Sequence, residues 1–450
     1  MASSYLTKTF GSPTDQNKWT FSAWVKLGQA TSDSVIFSAG TNASNNVDGI
    51  KMDSQDLRVF SYTGSYIFHL RSNRKFRDLS AWYHIQVAYD SDQSTAADRV
   101  KCYVNGIQET SFSTEDYPSS GANAGHINLN GREHIIGADT GGANNNINGY
   151  VTHCHFADGQ AYAPTVFGET DSTSGIWKPK TAPTVTYGNN GFFLKFENSG
   201  ALGTDSSGNS NTFTIVGTPT QTVDTPSNNF ATMNPLDNYY TVNSFSNGNT
   251  TVTTPNSGYS GAVGAMGASA GKWYFECKPV SKTGDADEYY IGITGAPVTS
   301  VNQPQSKLAT GYMYAGVNGQ IFNNDSGAAY GNTFTAGDII GVAMDLDNSK
   351  LYFSKNGTFQ NSGVPTSGST GTGAQSITAA SSTPNGLYMP CCAFSSNSYG
   401  GVFAFNFGSG YFQTTAVTSA NADGNGIGAF EYSVPSGYYA LCTKNIKEFG

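Results

Sequence analysis

Two stretches far apart in the chain obey one rule. Val100, Cys102 and Val104 alternate along an extended segment that runs into Asn105-Gly106, and Leu351, Phe353 and Lys355 do the same before Asn356-Gly357. Alternation with period two places one set of side chains on a single face of a strand. Asn-Gly then favours a two-residue type I′ turn, because both residues tolerate positive φ. Each half of the chain therefore contains its own strand, tight turn, strand unit. The same alternation occurs in Trp82–Tyr89, where Tyr83, Ile85, Val87 and Tyr89 share one face and Trp82, His84, Gln86 and Ala88 the other. Helical periodicity is almost absent, so the fold class expected is all-β, with two antiparallel β-sandwiches.

Length and composition agree with this. A chain of 450 residues suffices for two or three domains with full cores. Only 12% of residues are charged, while 53 glycines punctuate a sequence holding 26 Tyr and 27 Phe. That is the profile of many short strands joined by turns, with too much aromatic area for a disordered chain. The break is expected at Thr218 to Thr225, where GTPTQTVDTP interrupts the strand pattern, giving domains 1–222 and 223–450.

Several function classes fit poorly. A formal charge of −9, with no basic cluster longer than RSNRKFR at Arg71, argues against a nucleic-acid partner. No apolar run approaches the length needed to span a bilayer, so membrane insertion is not expected. MASSYLTKTF lacks the features of a signal peptide, which implies synthesis in a cytosol. Six scattered cysteines do not make a disulfide scaffold. Cys102, Cys154 and Cys277 sit in apolar strand patterns, and Cys391 and Cys392 would point to opposite faces of a strand. Buried, reduced thiols are the expectation.

The motifs carry family resemblances. TFSAWVKLGQ at Thr20, WYHIQVAYDS at Trp82, VKCYVNGIQE at Val100 and HIIGADTGG at His134 resemble the concanavalin A-like, laminin-G type sandwich, a jelly roll. GKWYFECKPV at Gly271, EYYIGITG at Glu288 and GDIIGVAMDLDNSKLYFSKNGTFQ at Gly337 resemble the core of a SPRY domain. The segments from Gly149 and from Asn190 look like the closing part of a laminin-G type domain found in proteins of marine bacteriophages. TPSNNFATMNPLD at Thr225 and PSGYYALCTKNI at Pro435 are similar to the flanks of the SPRY module in those same proteins. Two stretches depart from a compact SPRY pattern, PTSGSTGTGAQSITAASSTPNG from Pro365 and TTAVTSANADGNGIGAF from Thr414. Both are expected to be exposed loops that carry contacts.

Candidate chemistry is sparse. His153-Cys154-His155 would place two imidazoles on one strand face, but a zinc site needs two further ligands and no other pair stands at ligand spacing, so no metal site is assigned. Asp139 and Asn144 to Asn146 supply oxygen atoms suited to calcium, and the same residues serve any tight turn. No other cofactor is expected. A polysaccharide-degrading enzyme on the first sandwich would need paired carboxylates. The nearest acidic clusters, GETD at Gly168 and GDADE at Gly284, lie in turn-like sequence, so no catalytic residue is assigned. Aromatic stacking remains. GYMYAGVNGQIFNNDSGAAYGN from Gly311 interleaves tyrosines with amides, and Tyr312, Tyr314, Asn323 and Tyr330 are the expected ligand-binding set, with Tyr62 and Tyr66 a second pair open to the same reading.

The resemblances imply a non-enzymatic structural protein exposed on a virion. It would be a fibre or adhesin head or a capsid decoration, a homotrimer by analogy, whose partners are host-surface glycan and other virion proteins. The alternative from another class is the polysaccharide-degrading enzyme.

Overall fold

The computed structural model describes residues 4–450 apart from 30–32, 43, 142–143, 173, 239–241, 257–258, 285–286, 301–302, 395 and 397. The chain divides into two compact units, Met1–Gln221 and Thr222–Gly450.

The first unit pairs an eight-stranded sheet with a six-stranded one. The larger runs in the order Phe112–Asp116, Tyr66–Lys75, Asp56–Thr63, Asn46–Asp53, Ser34–Asn42, Glu133–Ile136, Tyr5–Thr9, Thr214–Val216. The smaller runs Phe192–Leu194, Gly149–Asp158, Lys18–Leu27, Trp82–Asp90, Val100–Val104, Ile107–Gln108. Its neighbouring strands are antiparallel throughout, and Thr214–Val216 returns to close the unit against the first strand. The core takes Phe21, Val25, Ile85 and Val87 from one sheet and Phe37, Ile50, Val59 and Phe68 from the other.

Alternation across Trp82–Asp90 places Ile85, Val87 and Tyr89 in this core, yet His84 and Gln86 are buried too. The back of the six-stranded sheet is covered by the returning chain. Gln86 Nε2 donates to Tyr162 O at 2.7 Å, Thr20 Oγ1 to Gln160 O at 2.7 Å, and Trp177 Nε1 to His84 Nδ1 at 3.0 Å.

The second unit repeats the plan. One sheet has as its main path Ser244–Ser246, Thr251–Thr253, Gly401–Asn406, Lys272–Lys282, Ile340–Asp345, Lys350–Lys355, Thr358–Phe359. The other runs Ser260–Val263, Met389–Phe394, Tyr289–Thr294, Gly311–Ala315, Gln320–Asn323, Ser326–Ala329. Trp273, Phe275, Val342, Phe353, Ile291, Tyr314 and Phe394 fill the space between. The outer face of the first sheet carries a second layer, in which Tyr274, Ala343 and Tyr352 are covered by Phe430, Tyr438 and Ala440 from the C-terminal segment. Thr443–Phe449 is the one α-helix among the described residues.

Both Asn-Gly turns have the expected form. Asn105 and Gly106 have φ of 49° and 80°, and Asn356 and Gly357 have 48° and 82°. Each asparagine also braces the next strand over: Asn105 Oδ1 accepts from His84 N, and Asn356 Oδ1 from Ile339 N, both at 2.8 Å.

The six cysteines are all buried and free. Cys392 faces the core between the sheets while Cys391 lies in a separate outer cluster with Met313 and Tyr290, as alternation along one strand requires. The two long insertions are not simply exposed. Ile377 and Ala380 of the first pack on the core, and Phe430 of the second is fully buried. The second is held by Asp423, whose carboxylate accepts from the backbone N–H of Asn425, Ile427 and Ala440 and from Asn445 Nδ2.

Candidate functional site

The tyrosines expected to form a ligand face belong to the core of the second unit. Tyr312, Tyr314 and Tyr330 are 5%, 0% and 9% exposed. Gly311–Ala315 lies inside its sheet, so alternation points Tyr312 and Tyr314 at the opposite sheet. Their hydroxyls are spent on the protein. Tyr312 Oη lies 3.1 Å from Thr378 Oγ1 and accepts from Thr378 N at 3.0 Å, so the insertion from Pro365 caps it. Tyr314 Oη donates to Asn332 O, and Tyr330 Oη accepts from Phe353 N at 3.1 Å. Asn323 Nδ2 donates to the carbonyls of Ala309 and Gly311, both at 2.9 Å. No ring of this set offers a face on which a sugar could stack, which corrects the sequence reading. Interleaved Tyr and Asn here encode packing and loop anchoring.

The other candidates are likewise absorbed. A β-bulge between Thr152 and His155 gives His153 a φ of 48°, so the two imidazoles do not stand in simple alternation. His155 stacks on Phe193 at 3.8 Å with Nδ1 2.9 Å from Tyr187 Oη. Burial drives His155 well below the usual imidazole range and His153 down to about 4. The Asp139 carboxylate accepts from Asn145 Nδ2 at 2.6 Å, and burial raises its pKa. No group of three His, Cys, Asp or Glu able to hold a metal occurs among the described residues. Asp171 pairs with Lys178 at 2.9 Å, whereas Asp285 and Ala286 of the GDADE stretch lie outside the described residues.

One arrangement that sequence reasoning missed resembles a nucleophile and its base. Ser22 Oγ lies 2.8 Å from His84 Nε2, and both residues are fully buried. Trp177 Nε1 can only donate, so His84 Nδ1 is the acceptor and Nε2 carries the proton. The imidazole therefore donates to Ser22 and cannot take its proton. Burial holds His84 down to about 3, which keeps it neutral. This pair is a buried polar brace beneath Trp24, stacked on the imidazole at 3.8 Å.

A further constellation stands on the outer face of the eight-stranded sheet, with Lys51, Asp56 and Phe60 buried and Tyr66 exposed. Leu57, Val59, Phe68 and Leu70 point into the core, so Arg58, Phe60, His69 and Arg71 point away from it. Register places Lys51, Arg58 and Arg71 side by side on three strands, with Phe60 opposite His69 and Tyr62 opposite Tyr66. Three adjacent cations would repel one another without counter-charges. Asp53 supplies one: it meets Arg58 at 3.0 Å, Arg71 at 3.3 Å and Lys51 at 3.7 Å. Asp56 meets Arg71 at 2.9 Å and also pairs with Lys75, and Asp33 meets Lys51 at 2.5 Å. Burial opposes ionisation of Asp53, but Lys51, Arg58 and Arg71 together hold it below the usual carboxylate range. Asp53 and Asp56 flank a turn in which Ser54 and Gln55 have φ of 51° and 81°. Left-handed backbone at two such residues costs about 1 to 2 kcal/mol each.

The aromatic half of the constellation is built around Arg58. Its guanidinium lies over Phe60 at 4.5 Å, and the ring has room because residue 49 is glycine; a Cβ there would sit 2.7 Å from it. Arg58 Nε donates to His69 Nε2 at 3.0 Å, and Nη2 donates to Tyr66 Oη at 2.7 Å. Tyr66 stacks on His69 at 4.4 Å, meets Tyr62 edge-on at 4.9 Å and remains 45% exposed. Burial and then the Arg58 charge lower the pKa of His69, consistent with the neutral imidazole this hydrogen bond requires. The acid-flanked turn and the basic residues at Arg58, Arg71 and Lys75 were visible as letters. Their convergence needed the register.

Comparison with known proteins assigns both sandwiches. Residues 2–166 match the family described as the concanavalin A-like lectin/glucanases superfamily, and residues 272–409 match the SPRY domain. Ran-binding protein 9 of Danio rerio is 37% identical over 92 residues, 20% of this chain and 15% of that protein. Ran-binding protein 10 of Danio rerio is 38% identical over 92 residues, with the same shares. Ran-binding protein 9 of Homo sapiens is 38% identical over 92 residues, 20% of this chain and 12% of that protein. The chain thus spans about 15% of the length of such relatives. Among solved structures, the SPRY domain of human HERC1 aligns at 18% identity with a TM-score of 0.29, over 36% of this chain and 91% of that one. A human SPRY domain aligns at 23% identity with a TM-score of 0.25, over 35% and 90%. The protein carries a concanavalin A-like sandwich followed by a SPRY domain.

Proposed function

We propose that this chain is a non-enzymatic surface protein of a bacteriophage particle, a fibre or adhesin head or a capsid decoration, that binds host glycans or neighbouring virion subunits. It is made in the host cytoplasm and assembles as a homotrimer, so that repeated weak sites give firm attachment. The supporting observation is the order of two recognition sandwiches, the second closed by flanks similar to those of marine phage proteins. Those flanks pair with one another. Phe230 bridges Cys442, Ala231 N donates to Leu441 O at 2.9 Å, and Asn229 N donates to Thr443 Oγ1 at 3.0 Å. Flank and sandwich are therefore one architecture, and their joint likeness carries more weight than either fold, since both folds host many functions.

Mass spectrometry of purified particles tests this. The reading expects the chain among the virion proteins at a stoichiometry of many copies; its presence in infected cells and absence from particles would refute it. The likeness to the Ran-binding proteins favours a second reading, an intracellular module whose SPRY unit binds a protein partner, and that same absence would support it.

A further inference from the structure

We infer that Ser326–Ala329, the outermost strand of the second unit's six-stranded sheet, pairs antiparallel with the same strand of a second copy of the chain across a two-fold axis. The inference deepens the functional reading above, on which it rests for the role of neighbouring subunits, by naming one contact and its occupant. Ser326–Ala329 pairs with Gln320–Asn323 on one side and ends the sheet on the other. All of its residues are exposed. Register fixes where its backbone points. Asn324 and Asp325, with φ of 52° and 61°, form a two-residue turn between Asn323 and Ser326. That closing pair is hydrogen-bonded, so alternation directs the N–H and C=O groups of Gly327 and Ala329 away from the hairpin. Among the described residues neither of these N–H groups meets another segment.

Natural sheet edges are blunted by charge, proline, a bulge or a covering segment. The opposite edge of this sheet, Ser260–Val263, is covered: Val263 O accepts from Asn234 N at 2.8 Å and Gly261 O from Asn243 Nδ2 at 2.9 Å. Phe112–Asp116 of the first unit carries a bulge and the charges of Glu115 and Asp116. Ser326–Ala329 has none of these devices, and holds only Ser, Gly and Ala. A second copy fits because the edge is its own complement. With Ala328 on the axis, Gly327 of one copy stands opposite Ala329 of the other, and their outward N–H and C=O groups bond in both directions. Ala328 then faces its equivalent in a non-hydrogen-bonded pair, with Cα atoms about 4.5 Å apart, a spacing that suits a methyl group. The two Asp325 carboxylates end up about 20 Å apart, where salt screens them. Pairing across a two-fold axis cannot close a trimer, so the contact joins one trimer to the next, and many copies make a weak edge firm.

Single cysteine substitutions in the full chain test the pairing, because the native thiols are all buried. In Ala328→Cys the two new thiols meet at the axis, within disulfide reach, whereas in Ser326→Cys their Cα atoms stand about 14 Å apart, beyond it. Under mild oxidation by oxidised glutathione, non-reducing gels should show Ala328→Cys forming a linked pair at least about tenfold faster than Ser326→Cys, since chance collision would favour neither exposed position. Circular dichroism melts of both variants should match the wild type, because both side chains are exposed. Equal rates, a faster Ser326→Cys, or no linked pair from either variant would overturn the pairing. Detection of the chain in purified particles is independent of these results, so the pairing can fall while the functional reading stands.

Discussion

Replacing Glu276 by Gln should change the way the protein's stability depends on pH. Glu276 is fully buried on the central strand Lys272–Lys282. One carboxylate oxygen accepts from Tyr432 N at 2.9 Å and Tyr274 Oη at 3.2 Å, the other from Glu431 N at 2.9 Å and Asn406 Nδ2 at 3.2 Å. Burial opposes its charge more than these donors favour it, and raises its pKa from 4.5 to about 7. Between those values the folded chain holds a proton that the unfolded chain has released, so stability falls as pH rises through this window. At about 1.4 kcal/mol per pH unit, the fall amounts to about 3 kcal/mol from this one group.

The amide of Glu276→Gln has the shape of the protonated acid and does not titrate. At pH 4.5 the variant should lie within about 1 to 2 kcal/mol of the wild type, the penalty of one mismatched buried donor. At pH 8 the gap should have moved about 3 kcal/mol in the variant's favour, or about 6 to 12 °C in melting temperature for a unit of this size. Thermal melts of both proteins at half-unit steps from pH 4.5 to 8 measure the difference and cancel the other carboxylates. A gap that stays constant across that range would show that Glu276 is ionised throughout, and that the four donors outweigh burial.

Three further outcomes follow from the packing. Residues 1–221 and 222–450 expressed separately should each give a soluble β-rich product with a cooperative melt, because each has its own sheets and core; an unfolded fragment would contradict the division. Dithiothreitol should leave the melting temperature unchanged, since all six cysteines are free and buried, and a drop of many degrees would reveal a disulfide. Tyr314→Ala should destabilise the second unit by about 3 to 5 kcal/mol, as removal of a buried aromatic does, and a melt within about 2 °C of the wild type would place the ring outside the core.

What the sequence disclosed was local. Val100 to Val104 and Leu351 to Lys355 announced strands, and Asn-Gly announced their turns, because alternation and positive φ are properties of neighbours in the chain. Burial of the second face was not legible. His84, Gln86 and Tyr352 alternate like surface residues, yet chain from far along the sequence covers them, and period two cannot report a third layer. The same blindness misplaced Tyr312, Tyr314 and Tyr330: stacking on a ligand and stacking in a core call for the same letters. It also hid the Arg58 constellation, whose members come from three strands and converge only in register.

Electron microscopy of intact particles labelled with antibody to this chain decides whether it is a recognition protein on the outside of a phage particle. Gold is expected on the exterior, at repeated positions on the capsid or at fibre tips. Particles that contain the chain but bind antibody only after disruption would contradict it.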